Sequence, residues 1–285
     1  MSVVSIPNLV LLFAKNKLFA KLPHRFLVEK LGREGLSRSS YFHYLSTGIV
    51  PLPLILKESG ADEVWGKATA FCSRSKPPVK IPRKMDSELA YLAGALRDGS
   101  VSKRNGVEYT ISLFQSGRHS YSWLRKISSI FRSKFGIAPK MEADRDGHRV
   151  LIHSKPVALF FESVFEMPKD QRFWATPKII RELSATEINI GKGYVAGFFD
   201  AEGYVTSIET FRKTGKTKLA FYQNNRDSLL FISEFLAKLG LKPHLYRDGE
   251  KSVLVLYGKD QLMKFHAHIP ILRKKKRLSS LLNSF

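Results

Sequence analysis

The sequence predicts an α+β protein in which two pseudo-symmetric αββαββα repeats form a saddle of antiparallel sheets, preceded by a small, mainly helical N-terminal region. Two observations support this fold. After residue 85, the sequence predicts the order helix, two strands, helix, two strands, helix twice. Glycines stand at matching positions between these elements in both copies. The chain also has 285 residues, 44% of them hydrophobic and 12% aromatic, which is enough for a large buried core.

The charge of the chain indicates a polyanionic partner. Lys and Arg number 47 against 25 Asp and Glu, which gives a formal net charge of +22 and a sequence pI of about 10.0. Adaptation to heat alone would raise Glu together with Lys, and the acids are not raised here. Nucleic acid is therefore the expected partner class.

The cellular location is predicted from two features. The single cysteine, Cys72, cannot form an internal disulfide, which suits a reducing cytoplasm. The apolar run at residues 10–14 is interrupted by Lys15 and Lys17 and follows no basic segment, so neither a signal peptide nor a membrane span is predicted. We expect a cytoplasmic protein associated with the nucleoid.

The first part of the chain contains a possible helix pair. Residues 26–32 and 36–45 predict two short helices around a turn that contains Gly32 and Gly35, and Ser37 is suited to cap the second helix. The pair resembles a repressor-type helix-turn-helix, and an ordinary helical hairpin explains the same pattern. In the first reading, the residues that enter a major groove include Arg38, Ser39 and Ser40.

A basic, proline-rich stretch separates this region from the repeats. Pro77, Pro78 and Pro82 stand among several Arg and Lys residues and exclude a regular helix. The predicted segments are the helical N-terminal region at 1–72, the linker at 73–85, the first repeat at 86–182 and the second repeat at 183–285.

Two similar stretches organise the repeats, YLAGALRDG at residues 91–99 and YVAGFFDAEG at residues 194–203. Each predicts a short apolar helix that ends at an acid, followed by a glycine in the left-handed conformation. Small residues inside the helices allow close backbone approach, so the two helices should pack face to face. Asp98 and Glu202 would then meet at one end of the pair, where carboxylates and helix carbonyls suit Mg²⁺.

The second stretch resembles the LAGLIDADG motif of homing endonucleases, and Glu202 stands at the position of the family's metal-binding acid. The first stretch, aligned on Asp98, places Ala93 rather than Gly94 at the motif glycine. The positions of the second stretch that are identical to the motif are Gly197, Asp200 and Gly203.

The remaining elements of the two halves also match in order. Strand pairs are predicted at 100–102 with 108–115 and at 204–211 with 218–223. Helices that end at Gly136 and Gly240 follow, then Asp-Gly hairpin turns at 145–147 and 247–249, then helices that open at Lys155 and Lys259.

The resemblance implies a site-specific double-strand DNA endonuclease of the homing type, as used in intron homing. It would be a monomer that hydrolyses phosphodiester bonds with Mg²⁺, or with Mn²⁺ in its place, held between Asp98 and Glu202. Because the two halves differ in sequence, the expected target is a long asymmetric site in double-stranded DNA. Two alternatives built on the same fold stay open, a non-cleaving DNA-binding transcriptional regulator and an RNA maturase.

The resemblance also suggests residues that assist the acids. Gln115 and Gln223 close the second strand of their halves, where the family often places a residue that positions the attacking water; capping of the next helix is the alternative. Lys275 is the candidate basic residue for the second half and Lys178 for the first, although charged runs often only bind phosphates or face solvent.

The expected DNA-binding residues come from the strand faces, the helix starts and the basic run near residue 275. They are Arg38, Ser39, Ser40, Thr110, Ser112, Arg118, Arg212, Lys218, Tyr222, Arg226, Arg273, Lys274 and Lys276.

Overall fold

The structure is a computed structural model that describes residues 5–31, 36–74, 76–104, 108–117, 120–168 and 174–285. Its N-terminal region combines five short helices with a three-stranded antiparallel sheet of order β2-β1-β3. The elements are α1 (Val10–Lys15), β1 (Phe19–Lys21), α2 (His24–Lys30), α3 (Arg38–Thr47), β2 (Ile49–Pro51), α4 (Leu52–Ile55), α5 (Ala61–Lys67) and β3 (Ala70–Cys72).

The sheet of this region was not predicted. Its strands have three residues each, which is too short for an alternating pattern to stand out in the sequence. The rings of Phe13 and Trp65 pack against Phe71 of β3, with centroids 5.0 and 5.7 Å away. The strands therefore form one wall of a small core that the helices close.

The predicted helix pair is present as α2 and α3. Ser37 caps α3 as predicted, because its hydroxyl accepts the backbone N–H of Ser40 at 3.1 Å. The turn glycines Gly32 and Gly35 lie outside the described residues. None of the residues of α3 is buried, and Arg38 and Ser39 are exposed.

The first repeat follows the predicted order. Its sheet is antiparallel with strand order β4-β5-β7-β6. The elements are α6 (Ser87–Ala95), a 3₁₀ turn (Leu96–Asp98), β4 (Gly99–Arg104), β5 (Glu108–Ser116), α7 (Ser120–Phe135), β6 (Lys140–Asp144), β7 (Gly147–His153) and α8 (Lys155–Val164).

The second repeat has the same order with additional helices, and its sheet order is β10-β11-β9-β8. The elements are α9 (Lys178–Thr186), α10 (Ile188–Glu202), β8 (Gly203–Val205), α11 (Ile208–Thr214), β9 (Lys218–Gln223), α12 (Arg226–Lys238), β10 (His244–Asp248), β11 (Lys251–Tyr257), α13 (Lys259–His268) and α14 (Lys275–Leu282). The predicted α+β fold with two repeats is confirmed.

The predicted strand at 204–211 is wrong beyond Val205, because helix α11 follows. The hydroxyl of Ser207 accepts the N–H of Thr210 at 3.1 Å and caps the start of this helix. Gly215 ends it with φ +64°, in the left-handed conformation that favours glycine. Arg212 therefore lies on a helix and not on a strand face.

Helices α6 and α10 pack against each other through their glycines. A Cβ at Gly94 would overlap the carbonyl oxygen of Tyr194, and a Cβ at Gly197 would overlap that of Tyr91. The two contacts are reciprocal, so Gly94 is the counterpart of Gly197. The alignment that placed Ala93 at the motif glycine is therefore wrong.

The first motif is one residue shorter than the second between its glycine and its acid. The 3₁₀ turn at Leu96–Asp98 compensates for the missing residue. A 3₁₀ helix rises about 2.0 Å per residue against about 1.5 Å in an α-helix, so three residues gain roughly the rise of one α-helical residue. Asp98 is thus carried to the end of the helix pair despite the shorter motif.

Among the described residues, no helix combines the length and the apolar character that crossing a membrane would require.

Candidate active site at the ends of the helix pair

Asp98 and Glu202 end the two motif helices. Asp98 closes the 3₁₀ turn, and Glu202 is the last residue of α10. The glycines after them are extended, with φ −105° at Gly99 and −78° at Gly203, so the left-handed conformation predicted for them is wrong. Glycine is needed at 203 for space, because a Cβ there would overlap the ring of Phe199.

The two carboxylates interact electrostatically. Burial raises the pKa of Asp98 to about 6, although part of its side chain still reaches solvent. Burial, reinforced by the negative charge of Asp98, raises the pKa of Glu202 to about 7. Because like charges raise a carboxyl pKa only at short range, the helix pair brings the acids to the same end.

Lys274 caps the carboxyl end of α10. Its Nζ donates to the carbonyl oxygens of Phe199 at 2.7 Å, Asp200 at 2.8 Å and Ala201 at 3.3 Å. Burial and the positive charge of Arg273 lower the pKa of Lys274 to about 7. Its charge acts on both candidate metal-binding acids, since it lowers the pKa of each.

Arg273 reaches across to the first half. Its guanidinium donates to Oε1 of Gln115 at 2.6 Å and to the carbonyl oxygen of Asp200 at 2.9 Å, and it lies 5.4 Å from the centroid of the Trp123 ring. Its positive charge also lowers the pKa of Asp98. The cation beside Asp98 and Gln115 therefore comes from the second half of the chain.

Asp200 holds these cations in place. Its side chain is fully buried and accepts the hydroxyl of Tyr91 at 2.7 Å, while that hydroxyl accepts Nε1–H of Trp123 at 2.7 Å. The carboxylate thereby links α10 to two helices of the first half. It also accepts the backbone N–H groups of Leu272 at 2.6 Å, Arg273 at 3.0 Å and Lys274 at 3.1 Å.

Arg97, in the 3₁₀ turn that follows α6, stands three residues after Gly94, as Asp200 stands three residues after Gly197 in α10. It is 2% exposed and donates to Tyr194, as Asp200 accepts from Tyr91. Where Asp200 accepts backbone N–H groups, Arg97 donates to backbone carbonyls. Its acceptors are the carbonyls of Trp174 and of Ala175 (2.9 Å), the hydroxyl of Tyr194 (2.6 Å) and the hydroxyl of Ser228 (3.1 Å).

The surroundings of Glu202 differ from those of Asp98. The positive charges of Lys274, Arg97 and Lys251 lower the pKa of Glu202 against the effect of burial. Gln223 is buried, and its Oε1 accepts the N–H of Asn224 at 2.8 Å. Asn225, and not Gln223, caps α12. Lys251 and Arg97 were not predicted as site residues; Lys251 follows the hairpin turn, where only its charge singles it out.

Neither of the two predicted lysines is among the cations that lower the pKa of Asp98 or Glu202. Lys275 is exposed at the start of α14, next to the half-buried Lys274. The side chain of Lys178 is 76% exposed at the start of α9, with Nζ 3.7 Å from Glu182. The basic run was located, and Lys274 and Arg273 are its members that act on the acids.

Several of the predicted DNA-binding residues share the sheet faces that point away from the helices. Thr110 and Ser112 are half-exposed on β5, paired with His153 and Ser100 at 2.9 and 2.8 Å. On β9, Lys218 and Tyr222 are half-exposed. Arg226 and Lys276 are exposed at the starts of α12 and α14, and Arg118 lies outside the described residues.

A pair of glycine-packed helices, each ending at an acid and followed by an antiparallel sheet, is the arrangement that the resemblance to the LAGLIDADG family implied. Residues 190–270 match the family model described as a LAGLIDADG-like domain. The resemblance drawn from the second motif is therefore confirmed, and the second repeat carries a LAGLIDADG-like domain.

Two curated proteins and a solved structure are similar to this chain. The homing endonuclease I-ApeI of Aeropyrum pernix is 28% identical over 54% of this chain and 67% of its own length. An A-type ATP synthase subunit of Pyrococcus abyssi is 26% identical over 57% of this chain, which spans only 14% of that much longer protein. The crystal structure of I-DmoI with DNA and Mn covers 65% of this chain and 98% of its own, with 15% identity and a TM-score of 0.48.

Proposed function

We propose that this protein is a site-specific double-strand DNA endonuclease of the homing type, which acts as a monomer on a long asymmetric target with Mg²⁺ as its metal. The observation that carries the proposal is the pair Asp98 and Glu202, held at the same end of a glycine-packed helix pair. The negative charge of Asp98 raises the pKa of Glu202, so the two carboxylates repel each other in the metal-free protein, and a divalent cation bound by both would remove that repulsion.

The donor set fits a divalent metal that DNA helps to bind. Among the described residues, no group of three or more His, Cys, Asp and Glu side chains could hold a metal by itself. Mg²⁺ is commonly held by one or two carboxylates together with substrate phosphates and water. Asp98 and Glu202 would provide the carboxylates, DNA the phosphate oxygens, and Mn²⁺ could substitute. When bound, the metal supplies a Lewis acid that activates water and stabilises the leaving oxygen.

The other residues of the site have roles that follow from their contacts. Gln115 and Gln223 would orient the attacking water on the two sides. Arg273 and Lys274 would neutralise charge that develops on the phosphate near Asp98. Asp200 is a positioning residue, because it fixes the backbone that carries both cations.

The affinity for the metal should depend on pH, because the metal must displace protons. With pKa values of about 7 for Glu202 and about 6 for Asp98, both carboxyls gain protons as the pH falls below these values. We expect Mn²⁺ affinity to fall about tenfold per pH unit below pH 7 and more steeply below pH 6. Calorimetry in two buffers of different ionisation enthalpy would count the released protons. An affinity that is constant from pH 8 to about 5.5 would contradict this assignment.

Binding to DNA should weaken steeply with salt. A protein that neutralises about 6–10 phosphates loses about 10³–10⁵-fold in affinity between about 50 and 200 mM salt. Fluorescence anisotropy with labelled duplexes in Ca²⁺ would measure the slope. A flat response would exclude a phosphate-based interface and, with it, nucleic acid as the partner.

The experiment that tests the proposal recovers bound duplexes from a fragment library in Ca²⁺ and then adds Mg²⁺. Scission at one sequence would establish the endonuclease. Specific binding of the duplex without scission would instead support the regulator, and preference for a structured RNA would support the maturase.

A further inference from the structure

The two repeats present chemically different sheet faces on the side away from their helices. In the first sheet this face is mainly polar, with hydroxyl groups paired across strands, Ser100 with Ser112 and Thr110 with His153. The half-exposed Phe114 and Leu151 lie on the same face. In the second sheet the corresponding face carries tyrosines over small aliphatic residues. The two faces would therefore contact different chemical groups of a bound DNA.

The register of the second sheet places its tyrosines on one face. Tyr204 lies opposite Ala220, and Ala220 lies opposite Val255. Tyr222 and Tyr246 both lie opposite Val253, from the two neighbouring strands. Directly opposed residues share a face of a sheet, so these side chains lie side by side.

The aliphatic residues beneath the tyrosines form a cluster separate from the main core. Ala220, Val253 and Val255 are fully buried, and Tyr204 and Tyr222 pack against them. Alternate residues of the same strands, such as Phe221 and Leu254, belong to the main core on the opposite face. The tyrosine side chains therefore cover this face of the sheet.

Two further tyrosines lie on the same face, Tyr257 on β11 and Tyr246 on the edge strand β10. Tyr246 and Tyr257 are 39% and 49% exposed. The hydroxyl of Tyr257 interacts with that of Tyr246 and raises the pKa of Tyr246 to about 12. Their exposed rings add apolar surface to this face of the sheet.

Cations surround this tyrosine face, which is defined by Tyr204, Tyr222, Tyr246 and Tyr257. Lys218 Nζ lies 5.9 Å and the guanidinium of Arg277 5.5 Å from the centroid of the Tyr204 ring. Lys251 is exposed on β11, on the same face of the strand as Val253. An apolar centre with a basic rim suits a duplex, whose phosphates meet the rim while its groove meets the centre.

We infer that the second repeat reads its half of the DNA target through thymine methyl groups packed against the tyrosine face, while the first repeat reads hydrogen-bonding base edges. The inference rests on the proposed DNA function. The thymine C5-methyl is the apolar group that base pairs present in the major groove, and the tyrosine rings, which pack over buried aliphatic side chains, give it an apolar surface to contact. Thr110 and Ser112 on the first sheet instead offer hydroxyls.

The test replaces thymine by deoxyuridine, which removes only the methyl group, in one half of the selected duplex at a time. In the half bound by the second repeat, we expect affinity in Ca²⁺ to fall about fourfold for each contacted methyl, the equivalent of one buried CH₂. In the other half the change should stay below about twofold. Losses below twofold in both halves would overturn the inference.

A double variant tests whether the tyrosines cause the sensitivity to deoxyuridine. In Tyr246→Ser/Tyr257→Ser, which alters exposed side chains, the deoxyuridine effect should shrink to below about twofold. In the matched control Ser100→Ala/Ser112→Ala on the first sheet it should persist in full. An unchanged effect in the tyrosine variant, with thermal unfolding as in the parent protein, would overturn the assignment.

The same duplexes separate this inference from the proposed function. If the unmodified duplex binds and is cut in Mg²⁺ while deoxyuridine has no effect in either half, the endonuclease stands and the methyl readout fails. If no duplex binds at all, or only single-stranded RNA binds to the tyrosines, both fail.

Discussion

Replacing Glu202 by glutamine should lower the rate of Mg²⁺-dependent DNA cleavage by about a thousandfold while leaving the affinity for DNA in Ca²⁺ within about threefold. Glutamine keeps the size of the side chain but removes the charge that would hold the metal. Because burial and the charge of Asp98 disfavour the charged form of Glu202, its neutral replacement should not destabilise the fold. The measurement is conversion of supercoiled plasmid to nicked and linear forms.

A matched control removes a charge elsewhere on the same half. Glu234 is exposed on α12, a helix that packs against the second sheet. Glu234→Gln should cleave at the parent rate. If Glu202→Gln loses DNA affinity as strongly as it loses cleavage, the residue is structural and the metal assignment is wrong.

The sequence predicted the parts of the fold that repeat. Both motif helices, both hairpins and the glycines at 136 and 240 were correctly placed, because each depends on local residue preferences that occur twice. The hairpins turn at residues 145–146 and 249–250, so the predicted Asp-Gly turns are wrong in detail. The second motif could be recognised at its full length, and it falls within the range that matches the LAGLIDADG-like family model. Short strands and the cap at Ser207 were missed, since three residues carry too little pattern.

The site was predicted less completely, because its geometry depends on contacts between the halves. Residue spacing alone aligned the first motif on its acid and missed the 3₁₀ turn that restores the position of Asp98. It located the basic run but chose Lys275, whereas the hydrogen bonds to the end of α10 are made by Lys274. Such choices depend on where a loop crosses the helix pair.

Arg97 and Asp200 show a further property of the pair that neither motif reveals by itself. They stand at equivalent positions relative to the motif glycines, carry opposite charge and bond tyrosines at equivalent positions of the facing helix, Tyr194 and Tyr91. Asp200 accepts hydrogen bonds from backbone N–H groups, and Arg97 donates hydrogen bonds to backbone carbonyls. The segment that crosses the end of α10 therefore presents N–H donors to Asp200, whereas the segment that crosses the end of the first motif helix presents carbonyl acceptors to Arg97. Exchanging either residue for its counterpart would leave buried groups without hydrogen-bond partners.

Replacing Arg97 by methionine should accordingly destabilise the protein by about 3–5 kcal/mol. The long apolar side chain fills much of the space, but the carbonyls of Trp174 and Ala175 lose their donor while they remain covered. Contacts of the guanidinium with the rings of Trp174 and Phe198, at 4.6 and 5.2 Å, are lost as well. Urea unfolding followed by tryptophan fluorescence measures the loss.

Two further variants show whether the stability depends on the several N–H donors of the guanidinium or only on its positive charge. Arg97→Lys keeps a cation but cannot reach all four acceptors, so its loss should be intermediate. Arg132→Met changes an exposed arginine of α7 and should cost less than about 0.5 kcal/mol. Equal stability of Arg97→Lys and the parent protein would mean that charge alone suffices. A loss below about 1 kcal/mol in Arg97→Met would mean that the crossing loop does not depend on Arg97.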